Sequence, residues 1–183
     1  MIMPNFMHIF NAYTSQTWIN MLCKDITGQI IKDAYGVSNN MAIGLYVDAA
    51  WKMASTGDFT PENFYNGSML FVGNGTTAPT EDDYKLESLI EYSAEGLHME
   101  SISLAYNENA GHYKTNRIMT VVLKNKSNTN ITVSEIGWFL AVPKEYGAEE
   151  GSNYFRVMMA REVFEPAPIK TGEVRAFTMS IEM

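Results

Sequence analysis

The chain has 183 residues and a formal net charge of −8, and it contains no cluster of lysine and arginine that could neutralise a nucleic-acid backbone. Charged residues make up 19% and hydrophobic residues 46%, which excludes a disordered chain and predicts one domain with a sizeable core. The single Cys23 excludes an intrachain disulfide, and the lack of an apolar run of about 18 residues argues against a membrane span.

Residues 1–67 are predicted to form a helical N-terminal segment. Asn5 can cap a helix whose apolar positions recur at a spacing near 3.6 residues to about Lys24. Asp25 to Ile31 then indicates a turn followed by a short extended piece. The aromatic side chains of the helix are candidate contacts of a docking arm or an oligomer: Phe6, Phe10, Tyr13 and Trp18. A helix that only closes one end of the domain explains them equally well.

From Ser68 onward, short apolar runs alternate with turn residues, which predicts a second region at residues 68–183. Its connections are too short and too polar for parallel crossovers, which favours an antiparallel β-sandwich of jelly-roll or immunoglobulin-like type. The predicted fold is therefore mainly β with an α-helical N-terminal segment. The predicted strands are Met69 to Val72, Tyr84 to Tyr92, Leu97 to Tyr106, Tyr113 to Asn125, Ile131 to Val142, Tyr154 to Phe164 and Glu173 to Met183.

Arg117 to Val142 reads as two apolar strands folded back across a polar loop. The first strand alternates strictly, which predicts one buried face. In the second, the apolar residues change parity after Val133, which predicts a β-bulge near Ser134 and Glu135, or a strand covered on both faces. Gly137 follows this point and is predicted to let a neighbouring group approach closely.

The loop Gly73-Asn74-Gly75-Thr76-Thr77-Ala78 matches the G-x-G-x-x-A pattern of dinucleotide-binding turns. Pro79 follows at once and no apolar stretch of helix length comes after it, so pyrophosphate binding is disfavoured. We interpret the loop as a turn with positive φ angles, followed by a capped helical turn at Thr80 to Asp83. Glycosylation sequons indicate exposed turns at Asn66, Asn74, Asn125 and Asn130.

The sequence predicts no cofactor and no metal. The three histidines His8, His98 and His112 lack the spacing of metal ligands, and Glu81 to Asp83 lacks that of a calcium-binding loop. A pair of catalytic carboxylates for glycoside hydrolysis stays open, because such partners meet only in three dimensions.

Two arginines, Arg156 and Arg161, interrupt an apolar run with charge. We interpret them as charges on an edge strand that is buried on one side, and a salt bridge to Glu135 is the sharper alternative.

Three segments of the β region carry a pattern that resembles tailed-bacteriophage virion proteins: FVGNGTTAPTEDDYKLES, TVVLKNKSNTNITVSEIGWFL and MMAREVFEPAPIKTGEVRAFTMSIEM. The match covers about residues 68–183. The matching residues are Gly73, Gly75, Pro79, Asp83, Tyr84 and Leu86 in the first segment; Ser134, Glu135, Ile136 and Gly137 in the second; and Arg161, Pro166, Gly172 and Glu173 in the third.

The resemblance implies a non-enzymatic, accessory structural component of the virion, located at the head, neck, tail or fibre base. Its expected partners are other virion proteins and further copies of itself in a homo-oligomer, with no nucleic acid and no membrane.

Two alternatives stay open. A glycan-binding fibre or receptor-binding head domain would present Trp51, Trp138 or tyrosines beside a groove, and a hydrolase would contain two carboxylates in a deep pocket.

Overall fold

The computed structural model describes residues 23–28, 30–31, 68–108, 115–143 and 154–182 of the chain. These residues form antiparallel β-sheets and contain no helix, which confirms the prediction of a mainly β fold. The docking candidates Phe6, Phe10, Tyr13 and Trp18 lie outside the described residues, as does Trp51. The strands are β1 (Cys23–Lys24), β2 (Ile30–Ile31), β3 (Ser68–Gly73), β4 (Leu89–Ile90), β5 (Leu97–Glu108), β6 (Thr115–Asn125), β7 (Ile131–Pro143), β8 (Tyr154–Ile169) and β9 (Val174–Glu182).

The described strands form three sheets. One has four strands in the order β4-β3-β7-β8, a second has three in the order β5-β6-β9, and β1 pairs with β2 in a short ribbon. β6 and β7 follow each other in sequence but lie in different sheets, so the polar loop 126–130 carries the chain from one sheet to the other. One cluster of buried apolar side chains draws on both large sheets. Across them, the rings of Phe164 on β8 and Phe177 on β9 lie 6.0 Å apart.

β7 is buried along its centre on both faces, from Val133 to Ala141. Its pairing with β8 shifts register between Val133 and Glu135, which confirms the predicted bulge. The change of parity in the sequence therefore has two causes: the bulge rotates the side chains, and neither face of the strand meets water, so alternation is no longer required.

Gly137 lies in this buried part of β7 and faces side chains rather than backbone. A Cβ atom at this position would lie 2.7 Å from Phe139 Cε2 and 2.9 Å from Leu86 Cδ2. We expect Gly137→Val to lower the free energy of unfolding by more than about 1 kcal/mol, measured by urea denaturation, because the core must expand to admit the branched side chain.

Ala105→Val is the matched control, since Ala105 is exposed on β5 and an added pair of methyl groups meets no neighbour packed into a core. Its effect should stay within about 0.5 kcal/mol. Equal denaturation midpoints for the two variants would contradict the close packing around Gly137.

Three predicted elements have the wrong bounds. The helix predicted to reach about Lys24 cannot do so, because Cys23–Lys24 pairs with Ile30–Ile31 as a strand. The strand predicted from Tyr84 to Tyr92 is limited to Leu89–Ile90, because the preceding backbone N–H groups donate to a side chain instead of a neighbouring strand. β8 also continues past the predicted end at Phe164, since prolines are tolerated on an edge strand.

Asn125, predicted to lie in an exposed turn, is fully buried at the end of β6. Its Nδ2 donates to the carbonyls of Thr129 at 2.7 Å and Ile169 at 2.9 Å. Its Oδ1 accepts from the backbone N–H of Ser127 at 3.0 Å and from the Ser127 hydroxyl at 2.7 Å. One side chain thus joins the loop between the sheets to the end of β8.

Gly172 allows the chain to enter β9. Its φ of 76° lies in the left-handed region that favours glycine. The N–H of Gly172 donates to the carbonyl of Asn125 at 2.7 Å, and the N–H of Asn125 donates to the carbonyl of Glu173 at 3.0 Å. Two residues of the turn therefore oppose one residue of β6, which is the geometry of a glycine-containing bulge.

Candidate functional site

Three residues from separate segments of the virion-protein pattern meet at one place. Glu135 lies at the bulge of β7, Arg161 lies on the neighbouring β8, and Asp83 lies in the loop 74–88 between β3 and β4. Glu135 has no exposed surface and Arg161 is 2% exposed. We call these residues, together with Glu87 of the same loop, the ionic cluster.

The carboxylate of Glu135 is surrounded by donors. Its Oε1 accepts from the backbone N–H of Gly75 at 3.1 Å and of Ser88 at 2.8 Å. Its Oε2 accepts from the N–H of Glu87 at 3.1 Å and from Arg161 Nε at 2.9 Å. Both ends of the loop 74–88 are therefore bound to one buried charge, and hydrogen bonding to that charge offsets the cost of its burial.

Arg161 connects Glu135 to two further carboxylates. Its Nη2 lies 2.8 Å from Glu135 Oε2, and its Nη1 lies 2.6 Å from Asp83 Oδ2. Glu87 Oε2 is 3.5 Å from Nη2. The salt bridge to Glu135, offered by the sequence as the sharper alternative, is thus present. Burial lowers the pKa of Arg161, but its hydrogen bonds to Asp83 and Glu135 outweigh this and hold the pKa above its usual value.

Glu87 and Asp83 hold the loop through their own hydrogen bonds. Glu87 accepts from the backbone N–H groups of Thr76 and Thr77 and from the Thr77 hydroxyl, which together lower the pKa of its carboxyl. Asp83 accepts from the N–H and hydroxyl of Thr80. Burial raises the pKa of Asp83, but these bonds and Arg161 outweigh it and leave the pKa below its ordinary value.

Gly73 and Gly75 leave room for carboxylate side chains, and neither glycine adopts an unusual backbone angle. Among the described glycines, only Gly28 and Gly172 have positive φ, so the predicted turn with positive φ angles is wrong here. A Cβ at Gly73 would collide with the Glu135 carboxylate and with the carbonyl of Ser88. The loop does bind an anion through backbone N–H groups, as phosphate-binding loops do, but the anion is a carboxylate of the same chain.

Two further pattern residues, Tyr84 and Pro79, lie in the loop itself. Tyr84 packs on the β1–β2 turn, where a Cβ at Gly28 would lie 3.1 Å from the ring. Lys24 Nζ lies 3.7 Å from Asp82 Oδ1 in the same area. Pro79 is half-buried at the tip of the loop. Asp83 N–H donates to the carbonyl of Thr80, which closes a single turn at the position of the predicted capped turn and does not continue into a helix.

An open cleft of about 280 Å³ lies over Arg161. It is lined by Thr77, Asp82, Asp83, Tyr84, Lys85, Leu86, Glu87 and Arg161. A glycosidase needs a carboxyl group whose pKa is raised so that it can donate a proton. Asp83 and Glu87 have lowered pKa values, so this pair is poorly suited to that chemistry.

The other residues singled out from the sequence do not form a second site in the described part of the chain. Trp138 is 1% exposed and belongs to the core, so it is not an exposed platform for a sugar. No three His, Cys, Asp or Glu side chains in the described residues are arranged to hold a metal ion. Nor does any helix in those residues have the length and apolar character needed to cross a membrane.

No family model, curated protein or solved structure matched the chain. The ionic cluster is therefore interpreted from its own geometry. It could have been found in part from the sequence, since Glu135 at a bulge and Arg161 in an apolar run were both recognisable. The participation of Glu87 and of the loop amides had no local signal.

Because of the ionic cluster, we expect the free energy of unfolding to fall in acid. Because the pKa values of Asp83 and Glu87 are lowered by folding, their contribution is complete above their ordinary values of 3.8 and 4.5 and is lost as the pH falls through the lower folded values. The difference in urea midpoint between the natural chain and Asp83→Asn with Glu87→Gln should therefore shrink between pH 6 and pH 3.

Glu81→Gln with Asp82→Asn is the matched control, because it removes two charges from exposed side chains of the same loop. A midpoint difference for the cluster variant that stays constant with pH, or that changes only as much as the control, would contradict the prediction.

Proposed function

We propose that this chain is a non-enzymatic structural component of a tailed-bacteriophage virion, which acts by protein–protein contacts with other virion proteins and with copies of itself. The observation that carries the proposal is the convergence of the buried Glu135 and Arg161 with the half-buried Asp83 in one cluster. The virion-protein pattern was recognised in three separate segments, and its charged residues combine to hold one loop against one sheet. A pattern whose charged residues pack against one another specifies how the chain folds.

The second support is the way the polar groups are used. Glu135 accepts hydrogen bonds from three backbone N–H groups and from Nε of Arg161, and Nη2 of Arg161 lies 2.8 Å from the same carboxylate as an ion-pair contact. Catalytic carboxylates need access to a substrate and a pKa close to the working pH. A carboxylate without exposed surface and bonded on both oxygens stabilises the fold and has no free lone pair to offer a substrate.

We further infer that the four-stranded and three-stranded sheets face each other as a sandwich. Met119, Val121 and Leu123 of β6 are fully buried, as are Met69 and Phe71 of β3 in the other sheet. The core cluster that includes them is continuous. Two antiparallel sheets that pack on their buried inner faces form a β-sandwich.

The experiment that tests the proposed function asks where the chain is found. Particles from the natural source are purified on a density gradient, and the chain is quantified by mass spectrometry against the major capsid protein. We expect the chain to co-purify with particles at a fixed copy number and an antiserum to mark one position on them in electron micrographs.

Recovery of the chain only from the soluble lysate, with particles free of it, would overturn the proposal. The glycan-binding alternative has its own outcome, since purified chain would then bind a glycan array, and substitution of Tyr84 at the cleft would abolish binding. The hydrolase alternative would require turnover of a glycan that is lost in Asp83→Asn or Glu87→Gln.

A further inference from the structure

The outer edges of the two large sheets differ in how well they are protected from pairing with another strand. Exposed sheet edges are normally blunted by short strands, prolines, bulges, charges or covering segments. In the four-stranded sheet, β4 has only two residues. At the other edge, β8 contains Pro166 and Pro168, and the carbonyl of Arg156 accepts from the N–H of Ile26 in the β1–β2 turn.

In the three-stranded sheet, β5 is also protected. Its first residue, Leu97, pairs with Tyr92 and accepts from the N–H of Ser93. Its register with β6 shifts between Met99 and Ser101, and the intervening Glu100 is exposed. A second strand approaching this edge would meet a bulge and a negative charge on a chain that is already acidic.

Among the described residues no segment covers β9, and its central run lacks the other devices. It pairs with β6 without a register shift from Val174 to Glu182, and it contains no proline. Its central run Ala176–Ile181 has no charged residue. The side chains that face outward on this run, Ala176, Thr178 and Ser180, are small and exposed, so they neither block nor repel an incoming strand.

The hydrogen bonds of β9 show which of its backbone groups are available. Asn125 N–H donates to the carbonyl of Glu173, and hydrogen-bonded pairs recur at every second residue of an antiparallel ladder. Arg175, Phe177 and Met179 therefore form hydrogen-bonded pairs with their partners on β6. Ala176, Thr178 and Ser180 direct their N–H and C=O groups to the outer edge, where no described strand lies.

We propose that β9 pairs antiparallel with β9 of a second copy of this chain, so that two three-stranded sheets become one continuous six-stranded sheet. An antiparallel pair is self-complementary, because a twofold axis near Thr178 places Ala176 of each copy opposite Ser180 of the other. A second copy also suits the centre of this edge, because the run Ala176–Ile181 that each copy brings to it has no charged residue although the chain has a net charge of −8. The interface goes beyond the proposed function and does not depend on it.

The size of the edge sets the strength of the contact. The nine residues of β9 span about 31 Å, and a sheet is about 10 Å thick, so each copy buries roughly 310 Å² along the edge. A standard stable interface buries about 800 Å² per partner. The pairing is therefore a weak dimer in solution, which becomes populated as the protein concentration rises.

The test uses the full chain and a matched pair of lysine substitutions. Thr178→Lys places a positive charge at the centre of the proposed interface. Ser103→Lys places it in the same row of the sheet on the opposite edge, because Ser103 and Thr178 both pair with Thr120. Thr178 also bonds the Thr120 hydroxyl at 2.8 Å, so Ser180→Lys serves as a second interface variant that leaves this bond intact.

Sedimentation velocity up to about 1 mM protein should show a concentration-dependent dimer for the natural chain and for Ser103→Lys. Thr178→Lys should raise the dissociation constant at least about tenfold, since two lysines then face each other across the axis. Ser180→Lys should also raise it, because a lysine on an edge strand disfavours pairing with another strand. Hydrogen exchange should show the amides of Thr178 and Ser180 gaining protection with concentration, while those of Phe177 and Met179 are protected throughout.

A natural chain that stays monomeric over this range would overturn the proposal. So would a dimer that persists in both interface variants, or one that is weakened equally by Ser103→Lys. These outcomes are separable from the proposed function, because a chain without this dimer could still be recovered from purified particles.

Discussion

Arg161→Met is expected to lower the free energy of unfolding by about 3 to 5 kcal/mol, the usual cost of removing one partner from a buried ion pair. The side chain of Arg161 is 3% exposed, and it contacts Glu135, whose side chain is fully buried. Without it, the Glu135 carboxylate keeps its backbone donors but loses the positive charge that compensates its burial. Equilibrium denaturation in urea measures the loss.

Arg175→Met is the matched control, because Arg175 forms an exposed ion pair with Glu173 at 3.7 Å. Such surface pairs contribute at most about 1 kcal/mol. The two substitutions remove the same group, so the difference between them isolates burial. A loss below about 1 kcal/mol for Arg161→Met would show that the ionic cluster does not hold the loop.

The amides of the loop give a second measurement on the same variant. Gly75, Glu87 and Ser88 donate to Glu135 from both ends of the loop 74–88. If the ionic cluster holds this loop, these amides exchange faster with solvent in Arg161→Met, even under conditions where the sheets stay folded. Unchanged exchange at all three would mean that Glu135 holds the loop without Arg161.

Asn125→Ala is expected to cost about 2 to 4 kcal/mol, because it leaves one buried and several partly buried hydrogen-bonding groups without partners. The carbonyls of Thr129 and Ile169 lose their donor, and Ser127 loses an acceptor. The amide also joins the loop between the sheets to the end of β8, so its removal weakens the connection between the two sheets. The loss is measured as the shift in urea midpoint, with the slope of the free energy of unfolding against urea concentration unchanged.

Asn128→Ala in the same loop is the control, since Asn128 is exposed. It should change stability by less than about 0.5 kcal/mol. Similar midpoints for the two alanine variants would refute the role assigned to the buried amide.

The strands with one buried face were predictable because their apolar residues alternate. β6 and β9 are within two residues of their predicted bounds, and the bulge of β7 was visible as a change of parity. The sheet to which each strand belongs was not predictable in this way. Alternation reports that a face is buried, and it carries no information about which strand lies beside it.

The ionic cluster was predictable only as far as its charges were conspicuous. Arg161 in an apolar run and Glu135 at a bulge suggested a pair, because buried charges need partners. The strand wrongly predicted at Tyr84 to Tyr92 shows the limit. Its composition is compatible with a strand, but the amides of Glu87 and Ser88 are bound by a carboxylate that comes from much later in the chain.

The crossing of the chain between sheets has a consequence for the order and speed of folding. Gly75 and Glu135 are 60 positions apart, and β3 cannot find its partner β7 until all of β5 and β6 has been made. Pairings of this kind close long loops before they gain any contact energy, and such topologies fold in milliseconds to seconds. During synthesis the three-stranded sheet stays incomplete until β9 leaves the ribosome, so the outer edge of β6 is exposed to other nascent chains for most of that time.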